Sequence, residues 1–465
     1  MNKLQKMLNE TKTENGDKAY KSTGDNLTDL FFMTPYFEKH LDEASIGTSE
    51  KEKVFSMFVR DGRFGLGRRD LGRRLMAQSG VSPENIVKAG RYDDLVYIPT
   101  DENIEYLYKK ISEGDELAKK WSPRLQAGRK SRKLALALCD EWGITKKAYR
   151  KLVKTDSTVE HKLSYAEKSE EGTPLNDLFG KGKYRHPLVD KIDFEKVPSL
   201  AMTKYTHLFS TREDLKPRFS EYLQKVRENK AKLNVSTTNI ATAHKVVERG
   251  SWTTQSVEDE ARDLIGKKIV EKETIGVEMN AIPILDTSAS MTWGRVEGMQ
   301  PMKVAMSIAH GIAIHSTYAK NQVVSFSSRP QLLEIKGKTL KEQYDSMYTG
   351  DCSNTDFGAV MDLLSRLKKY PEYLVVISDM EFDMGSNRSK EDTMRIFKNH
   401  GANTKIVWWN INARNKTVPE FDEYGNIYLS GYNMQILKLL ENKFDMTTYI
   451  DKILEKYKKD IDYKG

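Results

Sequence analysis

The stretch Ala281-Ile282-Pro283-Ile284-Leu285-Asp286-Thr287-Ser288-Ala289-Ser290 constrains this chain more than any other. An apolar run stops at an acid, and hydroxyls alternate after it. Ile282, Ile284 and Leu285 read as a short buried strand, with 287–292 as the loop leaving its carboxyl end. Asp286, Ser288 and Ser290 then share one side of that loop. A hard cation such as Mg2+ takes oxygen ligands in octahedral array and keeps several waters, so one carboxylate and two hydroxyls form a partial shell for it. The plain alternative is a strand end whose Ser and Asp side chains make turn and capping bonds.

Two other places offer the rest of such a shell. Asn354-Thr355-Asp356-Phe357-Gly358 stands ahead of a helical run at 359–367, and Tyr373-Leu374-Val375-Val376-Ile377-Ser378-Asp379-Met380 is a second apolar run that stops at an acid. In an open parallel sheet, ligands bind at the carboxyl ends of the strands. Further strand-like runs at 321–326, 405–410 and 427–429 alternate with helical patterns at 302–316, 393–398, 434–440 and 446–457. That alternation predicts a doubly wound, mainly parallel α/β sheet over 276–465.

Together these residues resemble the metal-ion-dependent adhesion site of von Willebrand factor A domains: Asp-x-Ser-x-Ser, a Thr in a second loop and an Asp in a third. The resemblance implies a Rossmann-like domain in which Asp286, Ser288, Ser290, Thr355 and Asp379 hold Mg2+, or Mn2+ or Ca2+. A position left open on the ion takes a carboxylate from a protein partner. Asp356, directly after the Thr, departs from the pattern and either adds charge to the site or points away.

Ahead of residue 276 the pattern changes. Strand patterns nearly vanish, and helical ones follow one another at 49–60, 71–77, 134–142, 146–153, 159–167, 200–209, 218–228 and 257–265. This predicts an α-helical array over 21–275, its last part (229–275) a junction, with no fixed sequence period. Residues 1–20 are polar and read as a flexible segment, in which Asn15-Gly16 marks a turn. Charge follows the same division. Residues 1–275 hold 51 Lys and Arg against 43 Asp and Glu, a net of +8, and residues 276–465 hold 24 of each. A basic excess confined to one module points weakly to polyanions.

Within the helical half, Val59-Arg60-Asp61-Gly62-Arg63-Phe64-Gly65-Leu66-Gly67-Arg68-Arg69-Asp70 places three glycines among its arginines. No strong strand precedes them, and the spacing fits neither common nucleotide-loop fingerprint. Two readings stand. One is a structural turn whose arginines pair with nearby acids. The other presents Arg60, Arg63, Arg68 and Arg69 to phosphates, which a guanidinium fork grips well.

Composition bounds the rest. At 465 residues, two or three domains with sizeable cores are expected. A charged fraction of 31% and a mean hydropathy of −0.63 fit a soluble globular protein. No apolar run approaches the roughly 20 residues of a membrane helix, and the N-terminus lacks a secretory core. Two cysteines, Cys139 and Cys352, suggest neither a disulfide framework nor a zinc site. No Ser/His/Asp or Cys/His constellation stands out, so no catalytic residue is expected. His310 and His315 fall on a helix expected to pack against the sheet, and Trp408-Trp409 read as core on a strand covered on both faces. Glu381 and Asp383, just past Asp379, either act on water as bases or hydrogen-bond the ion's waters.

The order of these landmarks resembles the Ro autoantigen family, whose helical part is the TROVE module. It is most like a related group, found in bacteria, plants and large phages, that joins a helical half to a von Willebrand A-like half. The matching pieces are Asn15-Gly16 with Ala19-Tyr20, Leu30-Phe31-Phe32, Val59-Arg60-Asp61 with its Gly/Arg run, and Gly90-Arg91-Tyr92-Asp93-Asp94-Leu95. They continue with Lys120-Trp121-Ser122-Pro123-Arg124, Tyr149-Arg150-Lys151, Val197-Pro198-Ser199, Thr355-Asp356-Phe357 and Ser378-Asp379-Met380-Glu381-Phe382-Asp383. The resemblance implies HEAT-like helices that bind RNA, with contacts at Arg60, Arg63, Arg68, Arg69, Arg91, Lys120 and Arg124. The expected protein is a cytoplasmic ribonucleoprotein scaffold with a Mg2+-dependent protein-interaction domain. The alternatives are a metal-dependent interaction protein without nucleic acid, virion-associated if phage-encoded, and a metal-dependent phosphoesterase.

Overall fold

A computed structural model describes residues 3–16, 18–155, 192–197, 199–233, 240–248, 256–296, 298–367, 369–381, 390–401, 403–419, 427–434, 436–437 and 446–463. The expected helix at 159–167 and Asp383 lie outside them, as does most of the one at 434–440. The chain forms two compact units: residues 1–36 with 159–449, and residues 37–158 with 450–465. Neither the expected boundary at 20/21 nor that at 275/276 coincides with this division.

The larger unit opens with a helix, Lys3–Asn9, and a hairpin of β1 (Glu10–Lys12) and β2 (Lys18–Tyr20). Within the segment expected to be flexible, the described residues 3–12 and 18–20 form this helix and hairpin. Its polar composition hides Ala19 and Tyr20, which are buried at its end. Six strands make the main sheet: β3 (Ala281–Asp286), β4 (Gln322–Phe326), β5 (Leu332–Glu334), β6 (Tyr373–Ser378), β7 (Lys405–Asn410) and β9 (Ile427–Ser430). The short strand β8 (Val418–Pro419) pairs instead with β2.

The main sheet runs β5-β4-β3-β6-β7-β9 and is parallel except for the β4–β5 pair. All six residues of β3 are buried, because a central parallel strand is covered on both faces and so reads as one apolar run. From β3 the chain goes to β4 on one side and returns to β6 on the other. The order of strands thus reverses between β3 and β6, the place where ligands bind in open α/β sheets. The expected mainly parallel α/β sheet is what the chain forms.

Helix Pro301–His315 follows the β3 loop, with Pro at its first turn, where a missing N–H costs nothing. His310 is buried and bonds Gln343, and His315 bonds the Thr274 hydroxyl. Trp409 donates to the Gly431 carbonyl at 2.8 Å, and the Trp408 ring lies 5.1 Å from Phe357. Both tryptophans are core. Four more helices, Ser199–Thr211, Lys216–Arg227, Ala241–Glu248 and Val257–Glu273, belong to this unit. The last runs past its expected end at 265. Within it, Gly266 admits Leu340 and Val247, whose side chains would lie 2.8 Å from any Cβ there.

Among its described residues the smaller unit has helices joined by turns and no strand. Helix Glu50–Arg60 starts at a Ser49/Glu52 capping box, and Arg69–Ser79 packs beside it. Gly72 permits that approach: a Cβ would meet the Arg60 Cα at 2.6 Å. The glycine-rich stretch between them folds back on the first helix's last turn. Leu66, Gly67 and Arg68 donate their amides to Phe58, Asp61 and Val59 at 3.0, 2.9 and 2.8 Å. A Cβ on Gly65 would fall 1.9 Å from the Phe58 carbonyl oxygen. Those glycines are there for a tight turn. The C-terminal helix, Met446–Asp460, supplies Tyr457, whose ring meets Phe58 edge-on at 5.4 Å and whose hydroxyl donates to Asp61 at 3.2 Å. Residues 450–465 group with the helices of 37–158 in the smaller unit.

Candidate metal centre and basic cleft

Parallel register sets Leu285 beside Ile377, so Asp286 and Ser378 end adjacent strands. The Asp286 carboxylate accepts the Ser288 amide at 2.9 Å and the Ser378 hydroxyl at 2.5 Å, which fixes both its oxygens. After Asp286 the loop tightens into a 3-10 turn at Ala289–Thr292, with the Ser288 and Ser290 hydroxyls 2.9 Å apart. Thr355 arrives from the loop before helix Phe357–Ser365 and donates to the Glu381 carbonyl at 2.7 Å. Three loops expected from the sequence thus meet at one sheet edge.

Asp379 sits differently. Its carboxylate is buried, and neither oxygen makes a hydrogen bond of ordinary geometry. Immediately after it, Met380 adopts a left-handed φ of 67°, with its amide on the Ser378 hydroxyl at 2.9 Å. A non-glycine residue held there costs about 1 kcal/mol or more, and such strain gathers at functional sites. Burial raises the pKa of Asp286 above the usual carboxylate range, and the neighbouring Asp379 charge raises it further. Burial also raises Asp379, with the nearby Ser290 hydroxyl and Arg414 guanidinium opposing the rise. Two buried like charges with one carboxylate unpartnered form a cluster that a cation would neutralise.

The donor chemistry fits a hard ion. Asp286, Asp379, Ser288, Ser290 and Thr355 offer oxygen alone, the set that suits Mg2+, Mn2+ or Ca2+. Among the described residues no three of His, Cys, Asp and Glu gather to hold a metal. Asp356 points away: it caps helix Phe357–Ser365, accepting the Ala359 amide at 3.0 Å. Glu381 is buried and pushed up to about 7, chiefly by that burial. One of its oxygens accepts the Glu14 amide at 2.7 Å and the other the Asn415 side chain at 3.3 Å.

Sequence reasoning missed several residues here. Ser378 carries a signal, a hydroxyl closing an apolar strand just before an acid. Arg414, which donates to the Ser290 carbonyl at 3.0 Å, carries none. Asn15 reads as a turn residue, yet its carboxamide reaches the Thr355 hydroxyl at 3.2 Å.

The seven basic residues separate into groups. Arg60 is buried against Asp94 at 2.7 Å, and Arg68 is buried against Glu38 at 2.7 Å. Neither is presented to solvent, so the structural reading of the turn holds for this pair. Arg124 is half-buried and donates to the Lys119 carbonyl at 3.0 Å and to Val153. Arg69 is exposed, 3.6 Å from Asp70. Arg63 and Arg91 line one cleft of about 380 Å³ with Phe64, Lys88, Leu117 and Trp121, and with the acids Asp460 and Asp462. Arg91 lies 4.2 Å over the Trp121 ring, and the Lys120 ammonium is 5.4 Å from it. Phe64 and Leu117 are exposed there. The smaller unit carries 30 Lys and Arg against 23 Asp and Glu, a net of +7, and the larger unit carries the remaining +1.

Residues 280–462 match the family model described as Domain of unknown function (DUF7788), and residues 186–273 match Domain of unknown function (DUF2828). The chain is similar to "Uncharacterized protein L728" of Acanthamoeba polyphaga mimivirus, with 25% identity over 540 aligned positions covering 97% of this chain and 88% of that protein. Among solved structures it is similar to the Deinococcus radiodurans RO (RSR) protein, at a TM-score of 0.44 and 10% identity over 96% of each chain. Identity that low transfers no residue's role from one protein to the other. No described helix is long and apolar enough to cross a membrane.

Proposed function

We propose that this protein is a non-enzymatic scaffold that captures a protein partner through a divalent cation at the sheet edge and holds RNA on its smaller, basic unit. The observation that carries the first part is the Asp379 carboxylate, buried beside Asp286 and left without a hydrogen bond. Mg2+ held by Asp286, Ser288, Ser290, Thr355 and Asp379 would supply an open coordination position for a partner's carboxylate. The place of these residues at the strand-order reversal supports the von Willebrand A-like reading of the sheet. Against a phosphoesterase stands Glu381: hydrogen bonds from the Glu14 amide and the Asn415 side chain anchor both its oxygens to neighbouring segments, which suits a structural role better than a base that must reach a water. A protein partner that co-purifies with the chain and is released by EDTA supports capture; one retained through chelation contradicts it.

RNA binding is supported by the resemblance to the Ro family and by the +7 of the smaller unit. The cleft where Arg63 and Arg91 meet exposed Phe64 combines cations for phosphates with an aromatic face for bases. In filter binding of single-stranded RNA, Arg63→Glu with Arg91→Glu is expected to weaken retention. It should also reduce the slope of log affinity against log salt by about 0.7 for each phosphate that is no longer neutralised. Unchanged retention and slope would leave metal-dependent partner capture as the sole function. Arg60 and Arg68 are unsuited to this test, because their buried pairs make any loss structural.

A further inference from the structure

We propose that the loop cluster of Asp286, Thr355 and Asp379 is also the docking site of the chain's own N-terminal turn, Thr13–Gly16. The turn is a tethered occupant of the face where a partner's carboxylate would arrive, and this rests on the metal-site reading. The contacts that hold it span more than 300 residues of sequence. The Asn15 carboxamide nitrogen donates to the Thr355 hydroxyl at 3.2 Å and to the Glu381 carbonyl at 3.3 Å. The Glu14 amide donates to the Glu381 carboxylate at 2.7 Å. Arg414 joins the turn to the remaining loop, lying 3.5 Å from the Glu14 carboxylate and donating to the Ser290 carbonyl at 3.0 Å. The turn is therefore tied, directly or through one arginine, to all three loops.

Thr355 is where the two roles meet. Its proton is on the Glu381 carbonyl, and Asn15 uses one of its two lone pairs, leaving one for an ion. The site can thus hold the turn and a cation together, with the turn taking space beside the ion. Attachment is uneven along the hairpin. Ala19 and Tyr20 are buried and pair with Pro419 and Val418, whereas Glu14 and Asn15 are exposed and held by the polar contacts above. Thr13, where the turn begins, is buried, so only Glu14 and Asn15 rest on those polar contacts. The Glu14 side chain, more than half exposed, brings to this face the chemical group a partner would offer.

The test uses the full chain loaded with Mn2+ alone. The parent, Glu14→Pro/Asn15→Ala, which also removes the Glu14 amide donor, and Lys18→Ala, a hairpin control facing Glu10, are compared. Electron paramagnetic resonance counts bound Mn2+, and the water-proton relaxation rate per bound ion reports water access to it. All three proteins should bind Mn2+ that Asp379→Asn abolishes. Relaxation per bound ion should rise about twofold in the double variant alone, as one or two waters join those such an ion keeps. Mn2+ bound with equal relaxation in parent and double variant would overturn the docking and leave the metal site intact. An equal rise in Lys18→Ala would also overturn it, by tracing the effect to loss of the hairpin. Absence of any Mn2+ sensitive to Asp379 would remove the metal site and the docking with it.

Discussion

Stripped of metal above pH 7, Asp379→Asn is expected to be more stable than the parent protein, and to gain nothing from Mg2+. The reason is the pair of buried carboxylates. Burial and mutual repulsion raise the folded-state pKa of Asp286, and burial raises that of Asp379. An acid whose folded pKa lies above its unfolded value binds more protons when folded. Stability then falls as pH rises from the free-carboxylate value near 4 to the raised folded value. Glu381, at about 7, adds to the same fall and places its upper end near neutrality. The metal-free parent should therefore unfold more readily at pH 8 than at pH 5. Removing one of two buried like charges should return on the order of 1–3 kcal/mol at pH 8. In the parent, Mg2+ at a hundred times its dissociation constant should add about 2.7 kcal/mol. Urea unfolding at both pH values, with EDTA or with Mg2+, measures all of this. A parent indifferent to pH and to Mg2+ would contradict it.

Asp94→Ala should produce the largest loss of stability in the smaller unit, about 3–5 kcal/mol by urea unfolding. Asp94 is fully buried and accepts from the Arg73 side chain, from Arg60 at 2.7 Å and from the Arg91 amide at 2.9 Å. Deleting the carboxylate takes the ion-pair partner from buried Arg60, leaves buried Arg73 with Asp93 and the more distant Asp70, and uncaps helix Tyr92–Tyr97. Asp70, exposed and only 3.6 Å from Arg69 and 3.7 Å from Arg73, gives the contrast: Asp70→Ala should stay within about 0.5 kcal/mol of the parent. Equal effects from the two substitutions would mean that the Asp94 network is not what organises these helices.

These cases show which parts of the molecule its sequence discloses. The strand ends at Asp286 and Asp379 are legible because buried parallel strands leave continuous apolar runs that an acid interrupts sharply. Thr355 has no such local signal and is reached only through its place in a family pattern. The arginines of the Gly/Arg run read as charge, but the acids that bury Arg60 and Arg68 stand about 30 residues away, and composition does not say who pairs with whom. Polar residues hide the hairpin in the same way: the Asn15 contact with Thr355 bridges 340 residues, beyond any periodicity. The C-terminal helix is legible as a helix, from its apolar face. Its partner is not, since Tyr457 finds Phe58 and Asp61 at the other end of the chain.

Crystals soaked in Mn2+ and measured at the manganese edge test the shared cation site most directly. The expected result is an anomalous peak about 2.0–2.6 Å from oxygens of Asp286, Asp379 or the Ser288, Ser290 and Thr355 hydroxyls, lost in crystals of Asp379→Asn. A map without a peak there, or with one that survives the substitution, would contradict it.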